Sequence, residues 1–243
     1  KQDIRDYYGY LGDIGSMPST AQGLAALISR PSGVSSWAIN STSKTGMGWR
    51  GPYLPTTTGV NWLTDSWGNN FVYDATSTPY LLSYGSDGAA GGSGDAADIR
   101  IDFPDRVRIS TVYGIINETG DRYTGSATVN LYYPDGNGAL ATATYSVNSG
   151  TNGYFTFSNI PFGLRSARVS FPTGDTIGPI ILSIDKSNFI VPHNYLDSAP
   201  GALPHLCANN ARVSLVDGSA DQSSTTNRIY FQLNISHKEV EFH

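Results

Sequence analysis

The chain has 243 residues, 39% hydrophobic and only 14% charged, so it is long enough to bury a sizeable core in one or two domains. Its glycine-, serine-, threonine- and tyrosine-rich makeup is that of an extracytoplasmic β-rich protein, and a net charge of −5 with no basic run argues against nucleic acid or an anionic membrane surface as a partner. A single cysteine, Cys207, excludes an internal disulfide and any multi-cysteine metal site.

From the N-terminus, residues 1 to 28 (KQDIRDYYGYLGDIGSMPSTAQGLAALI) read as the end of a helix, a Gly/Pro loop and a short helix capped by Ser19 or Thr20. Two aromatic segments follow, GWRGPYL at 48–54 and DSWGNNFVY at 65–73. An apolar strand at Tyr80 to Leu82 then runs straight into the glycine-rich, acidic stretch LLSYGSDGAAGGSGDAADI at 81–99.

Glycines at 85, 88, 91, 92 and 94 let this backbone turn its carbonyls inward, so Asp87, Asp95 and Asp98 can converge on one hard cation. A phosphate cradle is the rival reading of a glycine-rich loop, but it needs amides feeding a helix and, as a rule, a lysine. No lysine or arginine occurs between Arg50 and Arg100, and the acids do not follow EF-hand spacing. The choice left is between a calcium loop and a plain surface turn with solvated aspartates, and the neighbouring motifs favour calcium.

Those motifs resemble the globular head of the major pseudopilin of type II secretion systems over roughly residues 1–100. The pattern D-x-G-x-x-P is met by Asp13, Gly15 and Pro18, and G-L-x-x-L by Gly23, Leu24 and Leu27. Gly48, Trp49, Gly51, Pro52, Tyr53 and Leu54 meet G-W-x-G-P-Y-L. Asp65, Trp67, Gly68 and Tyr73 meet D-x-W-G-x-x-x-x-Y, and Ser83, Gly85, Asp87, Gly88, Asp98 and Ile99 close the series.

The resemblance implies a Ca2+ ion held by the side chains of Asp87 and Asp98 and the carbonyls of Tyr84 and Ala89. Asp95 stands in for the acid that family members often carry where this chain has Ala97. It further implies a structural, non-enzymatic subunit of a periplasmic filament, with other pseudopilin subunits, secretion-system components and secreted cargo as partners. Family members start with an apolar helix anchored in the bacterial inner membrane; no window here approaches the ~20 apolar residues such a span needs, so Lys1 reads as a truncation point within that helix.

Beyond residue 103 the pattern becomes short alternating strands at Val107–Ile116, Ala127–Tyr133, Ala139–Val147, Tyr154–Phe157, Ala167–Phe171 and Ile180–Ile184, which suggests an antiparallel β-sandwich. Turns fall at Glu118 to Gly120, Pro134 to Gly138 and Asn152-Gly153. Gly114, Ile115, Val129, Leu131, Asn152, Gly153, Phe155, Phe157, Ile160, Pro161 and Gly163 resemble the transthyretin-like sandwich of carboxypeptidase regulatory domains, with the phenylalanines as core and the glycines as turns. That fold fixes no function. The expected organisation is therefore α+β: a truncated pseudopilin-like head with calcium loop at 1–102, a sandwich at 103–199, and C-terminal strands of uncertain docking at 200–243, with ARVSLV (211–216) and RIYFQL (228–233) as the strands.

Catalysis finds no support, since neither G-x-S-x-G nor H-E-x-x-H occurs and the four histidines lie late and scattered. The alternative to a filament subunit is a calcium-dependent surface adhesin or glycan-binding pilus-like protein. On that reading Trp37 and Trp62 are the surface aromatics, whereas Trp49 and Trp67 pack the small helix onto the sheet.

Overall fold

The computed structural model describes residues 9–55, 59–76, 79–102, 109–118, 121–191, 229–233 and 238–242. Residues 9–14 are helical and end at Gly15, whose φ of 91° no larger residue adopts readily; its N–H closes back on the Leu11 carbonyl at 2.8 Å. A 3-10 turn follows at Leu24–Leu27. Gly23, at φ 57°, opens this turn with no side-chain cap, which corrects the expected capping role. Ser19 Oγ instead accepts the Gln22 N–H one turn earlier, and Thr20 Oγ1 accepts the N–H of Ala75.

The head core gathers Tyr10, Ile14, Ala26, Leu27, Val34, Tyr53 and Leu54, with Trp49 and Trp62 packed against it. The G-W-R-G-P-Y-L segment builds this core through specific polar ties. Trp49 Nε1–H donates to the Ala26 carbonyl at 2.8 Å, and Tyr53 meets Tyr10 and Trp49 edge-to-face at 5.4 and 5.8 Å. The Tyr53 hydroxyl donates to Asp13 Oδ2 at 3.0 Å, and Arg50 Nε donates to the same oxygen at 3.1 Å. Burial pushes the Asp13 carboxyl above the usual carboxylate range, with Arg50 and Tyr53 pulling the other way.

Two small antiparallel sheets complete the head. Strands β1 (Ala38–Ile39) and β2 (Gly46–Met47) pair as a hairpin. Strands β3 (Val72–Asp74), β4 (Tyr80–Ser83) and β5 (Ile99–Asp102) form the other in that order. The glycine-rich stretch is the β4–β5 connection. All four residues of β5 are exposed, so its place depends on pairing with β4 rather than on burial.

The next strands are β6 (Ile109–Ile115), the short pair β7 (Asn117–Glu118) and β8 (Asp121–Arg122), β9 (Ala127–Pro134) and β10 (Leu140–Val147). They are followed by β11 (Tyr154–Pro161), β12 (Gly163–Ser170), β13 (Thr176–Ile184) and β14 (Asn188–Ile190). Sheet β10-β9-β12-β13 and sheet β11-β6-β14 share one core that includes Val112, Val129, Leu131, Phe155, Phe157, Val169, Ile180 and Leu182.

Period two breaks between Phe157 and Ile160, yet both are buried. A bulge with Asn159 at φ 61° absorbs the extra residue. Gly114 does not turn the chain as expected; it lies in β6 where the Phe155 ring leaves no space for a Cβ. Ile115 faces outward beside exposed Tyr154, and the inward positions are Val112, Gly114 and Ile116. The sheets are mainly antiparallel, as expected; the exception is β14, which pairs parallel to β6.

In the tail, ARVSLV lies outside the described residues. RIYFQL contains β15 (Ile229–Leu233), which pairs antiparallel with β16 (Lys238–Phe242), a strand the alternation did not mark.

Folded Asp13 holds its proton more tightly than an unfolded aspartate. Stability linked to it is therefore complete below the ordinary pKa of about 4 and is lost as pH rises through the elevated folded value. Thermal melts from about pH 4 to neutrality should show this loss in the wild type and a flatter profile in Asp13→Asn. Parallel profiles would remove Asp13 as its source.

Candidate functional site

The residues between β4 and β5 fold into two 3-10 turns, Gly85–Asp87 and Gly94–Ala96. Gly85, Gly88, Gly91, Gly92 and Gly94 all have positive φ, as a loop folding back on itself requires. Two of them also permit close contact. A Cβ at Gly85 would stand 2.7 Å from the Asp95 carbonyl, and one at Gly92 would stand 2.2 Å from that of Ala96.

The D-x-W-G segment anchors this loop. Asp65 Oδ1 accepts the N–H groups of Trp67 and Asn69 at 3.0 and 2.9 Å, while its Oδ2 accepts the Ser83 hydroxyl at 2.5 Å. Ser83 Oγ in turn accepts the Gly85 N–H at 3.1 Å, and Asn69 Nδ2 donates to the Gly85 carbonyl at 2.7 Å. Gly85 is thus held at both backbone ends. The Ser83 hydroxyl, followed by the backbone amides, holds the Asp65 carboxyl below its usual range. Asn69 has no part in the sequence pattern, so its contribution emerges only from the folded chain.

Of the expected ligands, Asp87 and Asp98 address the same stretch of backbone. Asp87 Oδ1 accepts the Ala89 N–H and Asp98 Oδ1 accepts the Gly91 N–H, each at 3.1 Å. Asp95 enters through its backbone, packed on Gly85, and Tyr84 precedes the first turn. Among the described residues, no three His, Cys, Asp or Glu side chains are gathered into a metal-holding group.

Beside the loop lies an open, mainly apolar groove of about 230 Å³, lined by Trp67, Phe71, Leu81, Ile99 and Ile101 with Asp65, Ser66 and Ser83. Trp67 is 45% exposed at this groove instead of packing the small helix onto the sheet. Of the two expected surface aromatics, Trp37 is exposed as expected and Trp62 is half-buried. Gly46 leaves no Cβ space beneath the Trp37 ring, the Arg50 guanidinium lies 5.9 Å from that ring, and Trp62 Nε1–H donates to the Pro55 carbonyl at 2.6 Å.

The extent of a known family coincides with this architecture. Residues 6–102 match the family model of type II secretion system (T2SS), protein G. The match ends at Asp102, the last residue of β5, and so takes in the head and leaves the two-sheet unit outside. No curated protein matches the chain. Among the described residues no helix is long and apolar enough to cross a membrane.

Because the folded Asp65 pKa is depressed, its contribution is present above the unfolded value and is lost as pH falls through the folded one. Asp65→Asn should lower Tm by a few degrees at neutral pH, and the gap should close on acidification, when the wild-type carboxylate is protonated too. A gap that persists unchanged at low pH would show that shape rather than charge sets the loss.

Proposed function

We propose that the chain is a structural, non-enzymatic pseudopilin subunit of a type II secretion system. It is carried in the periplasm on an inner-membrane helix and assembles with other pseudopilin subunits into the filament that drives protein export. The carrying observation is the protein G match, which spans the helix end, the Asp13–Tyr53 node, the β3-β4-β5 sheet and the glycine loop. The chain divides at 102 and 199, and the two-sheet unit is a transthyretin-like addition that faces secreted cargo or other secretion-system components. Loss of the gene should abolish release of type II-dependent exoproteins and leave them in the periplasm. Normal release from the deletion strain would refute the reading.

The same reading makes the β4–β5 connection a calcium loop with Asp87 and Asp98 as carboxylate ligands, Tyr84 and Ala89 as carbonyl ligands and Asp95 as an accessory acid. Three features support it: an oxygen-only donor set suited to a hard cation, glycines at every sharp bend, and two carboxylates addressing amides two residues apart, those of Ala89 and Gly91. Bound calcium supplies positive charge that offsets carboxylate repulsion and ties the ends of the loop together.

Binding only to the folded loop contributes about 2.7 kcal/mol at a hundredfold excess over Kd. At roughly 2–4 °C per kcal/mol for a chain of this size, Tm should rise by about 5–10 °C in calcium. Asp87→Ala should remove most of that rise. Superimposable wild-type melts in calcium and in chelator would exclude the ion.

A further inference from the structure

A helix leaves its last four carbonyls without partners of its own. Here these belong to Leu11, Gly12, Asp13 and Ile14, and among the described residues two are satisfied within the head: Leu11 by the Gly15 N–H at 2.8 Å and Asp13 by the Gly48 N–H at 2.9 Å. The other two are completed by the two-sheet unit. Arg165 Nη1 donates to the Gly12 carbonyl at 3.0 Å, and the amides of Gly136 and Gly138 donate to that of Ile14 at 3.0 and 3.2 Å. Two more bonds cross the same junction, from Ser16 Oγ to the Gly136 carbonyl and from the Ser35 N–H to the Asn137 carbonyl, both at 2.9 Å.

Arg165 is the largest fully buried side chain among the described residues. Three further bonds go to the carbonyls of Pro161, Phe162 and Leu164, so the guanidinium is bonded to neutral backbone acceptors. An unpaired buried cation is costly, but at the C-terminal end of a helix it meets the negative end of the peptide dipoles, and Asp13 adds attraction. The contact is backbone on backbone. A Cβ on Gly15 would fall 2.2 Å from the Pro134 carbonyl oxygen, and one on Gly138 would fall 2.6 Å from Gly48 Cα. A loosely tethered appendage needs neither the buried charge nor this closeness.

We propose that the two-sheet unit, through Arg165 and the β9–β10 turn, is the built-in C-terminal cap of the head helix, so that head and two-sheet unit fold as one cooperative body. This holds whether or not the chain assembles into a filament. All four tryptophans, at 37, 49, 62 and 67, lie in the head, so their fluorescence reports on the head alone while far-UV circular dichroism follows the strands of both parts.

The test is equilibrium urea unfolding of the full chain followed by both probes. Leu131→Ala, in the two-sheet core and away from the junction, should lower the tryptophan midpoint by the same amount as the dichroism midpoint. A tryptophan midpoint that stays at its wild-type value while the dichroism midpoint falls would overturn the proposal. Arg165→Met should split the wild-type transition, so that the two probes give separate midpoints; coincident midpoints at wild-type denaturant would remove Arg165 from the junction. If Arg165→Met does not fold, Gly138→Val, which drives a side chain into Gly48, supplies the same comparison.

Discussion

The end of the first helix is where the demands of this fold concentrate. Its carbonyls stop within three residues of one another, near a buried aspartate, and each needs a donor because an unpaired backbone acceptor away from water costs as much as a lost hydrogen bond. The head meets part of the demand with Gly48, whose N–H reaches Asp13 from the G-W-R-G-P-Y-L segment. The Asp13 side chain then binds Tyr53 and Arg50 of that same segment. One residue therefore fixes the loop twice, through its backbone and through its carboxylate. The rest of the demand is met from more than a hundred residues away by Arg165 and the β9–β10 turn.

A second chain of polar contacts does for the sheet what this one does for the helix. Asp65 shapes its own turn and binds Ser83, Ser83 and Asn69 fix Gly85, and the loop beyond Gly85 delivers β5 to β4. In both places a carboxylate organises nearby donors, side-chain groups at Asp13 and backbone amides with a hydroxyl at Asp65, and a glycine provides the clearance. The electrostatic outcome differs with depth. Burial raises Asp13, whereas Asp65, at the surface and surrounded by donors, is lowered.

Much of this was legible in the sequence. The motif positions Asp13, Gly15, Gly48, Trp49, Tyr53, Asp65 and Ser83 are the residues that hold the head together, and alternation located six of the strands between 109 and 184 to within a few residues. Asx turns, glycine clearances and period-two burial are local and leave a local trace. The reading of glycines as turns failed at Gly114, which lies inside β6 because Phe155 from the paired strand fills the space a Cβ would need. The parallel strand β14 was missed because three residues carry too little pattern. Arg165 was not legible at all. A lone arginine amid strand residues reads as a solvated charge, and only the approach of the helix end makes it an interior donor.

The exposure of β5 explains why order in the preceding loop carries so much weight. A strand whose four residues all remain exposed gains little from the hydrophobic effect, so its hydrogen bonds to β4 must offset much of the entropy of closing residues 84–98. Anything that restricts this stretch before pairing lowers that cost: left-handed glycines already accommodate its bends, Asn69 and Ser83 clamp its first turn, and Asp87 and Asp98 draw its middle toward each other. On the proposed calcium reading, a cation binding those two carboxylates would act on the step where β5 is most weakly held. The same ion would do little for the two-sheet unit's own core, where side chains are buried and pairing is extensive, so a calcium effect on stability is expected to originate in the β4–β5 connection.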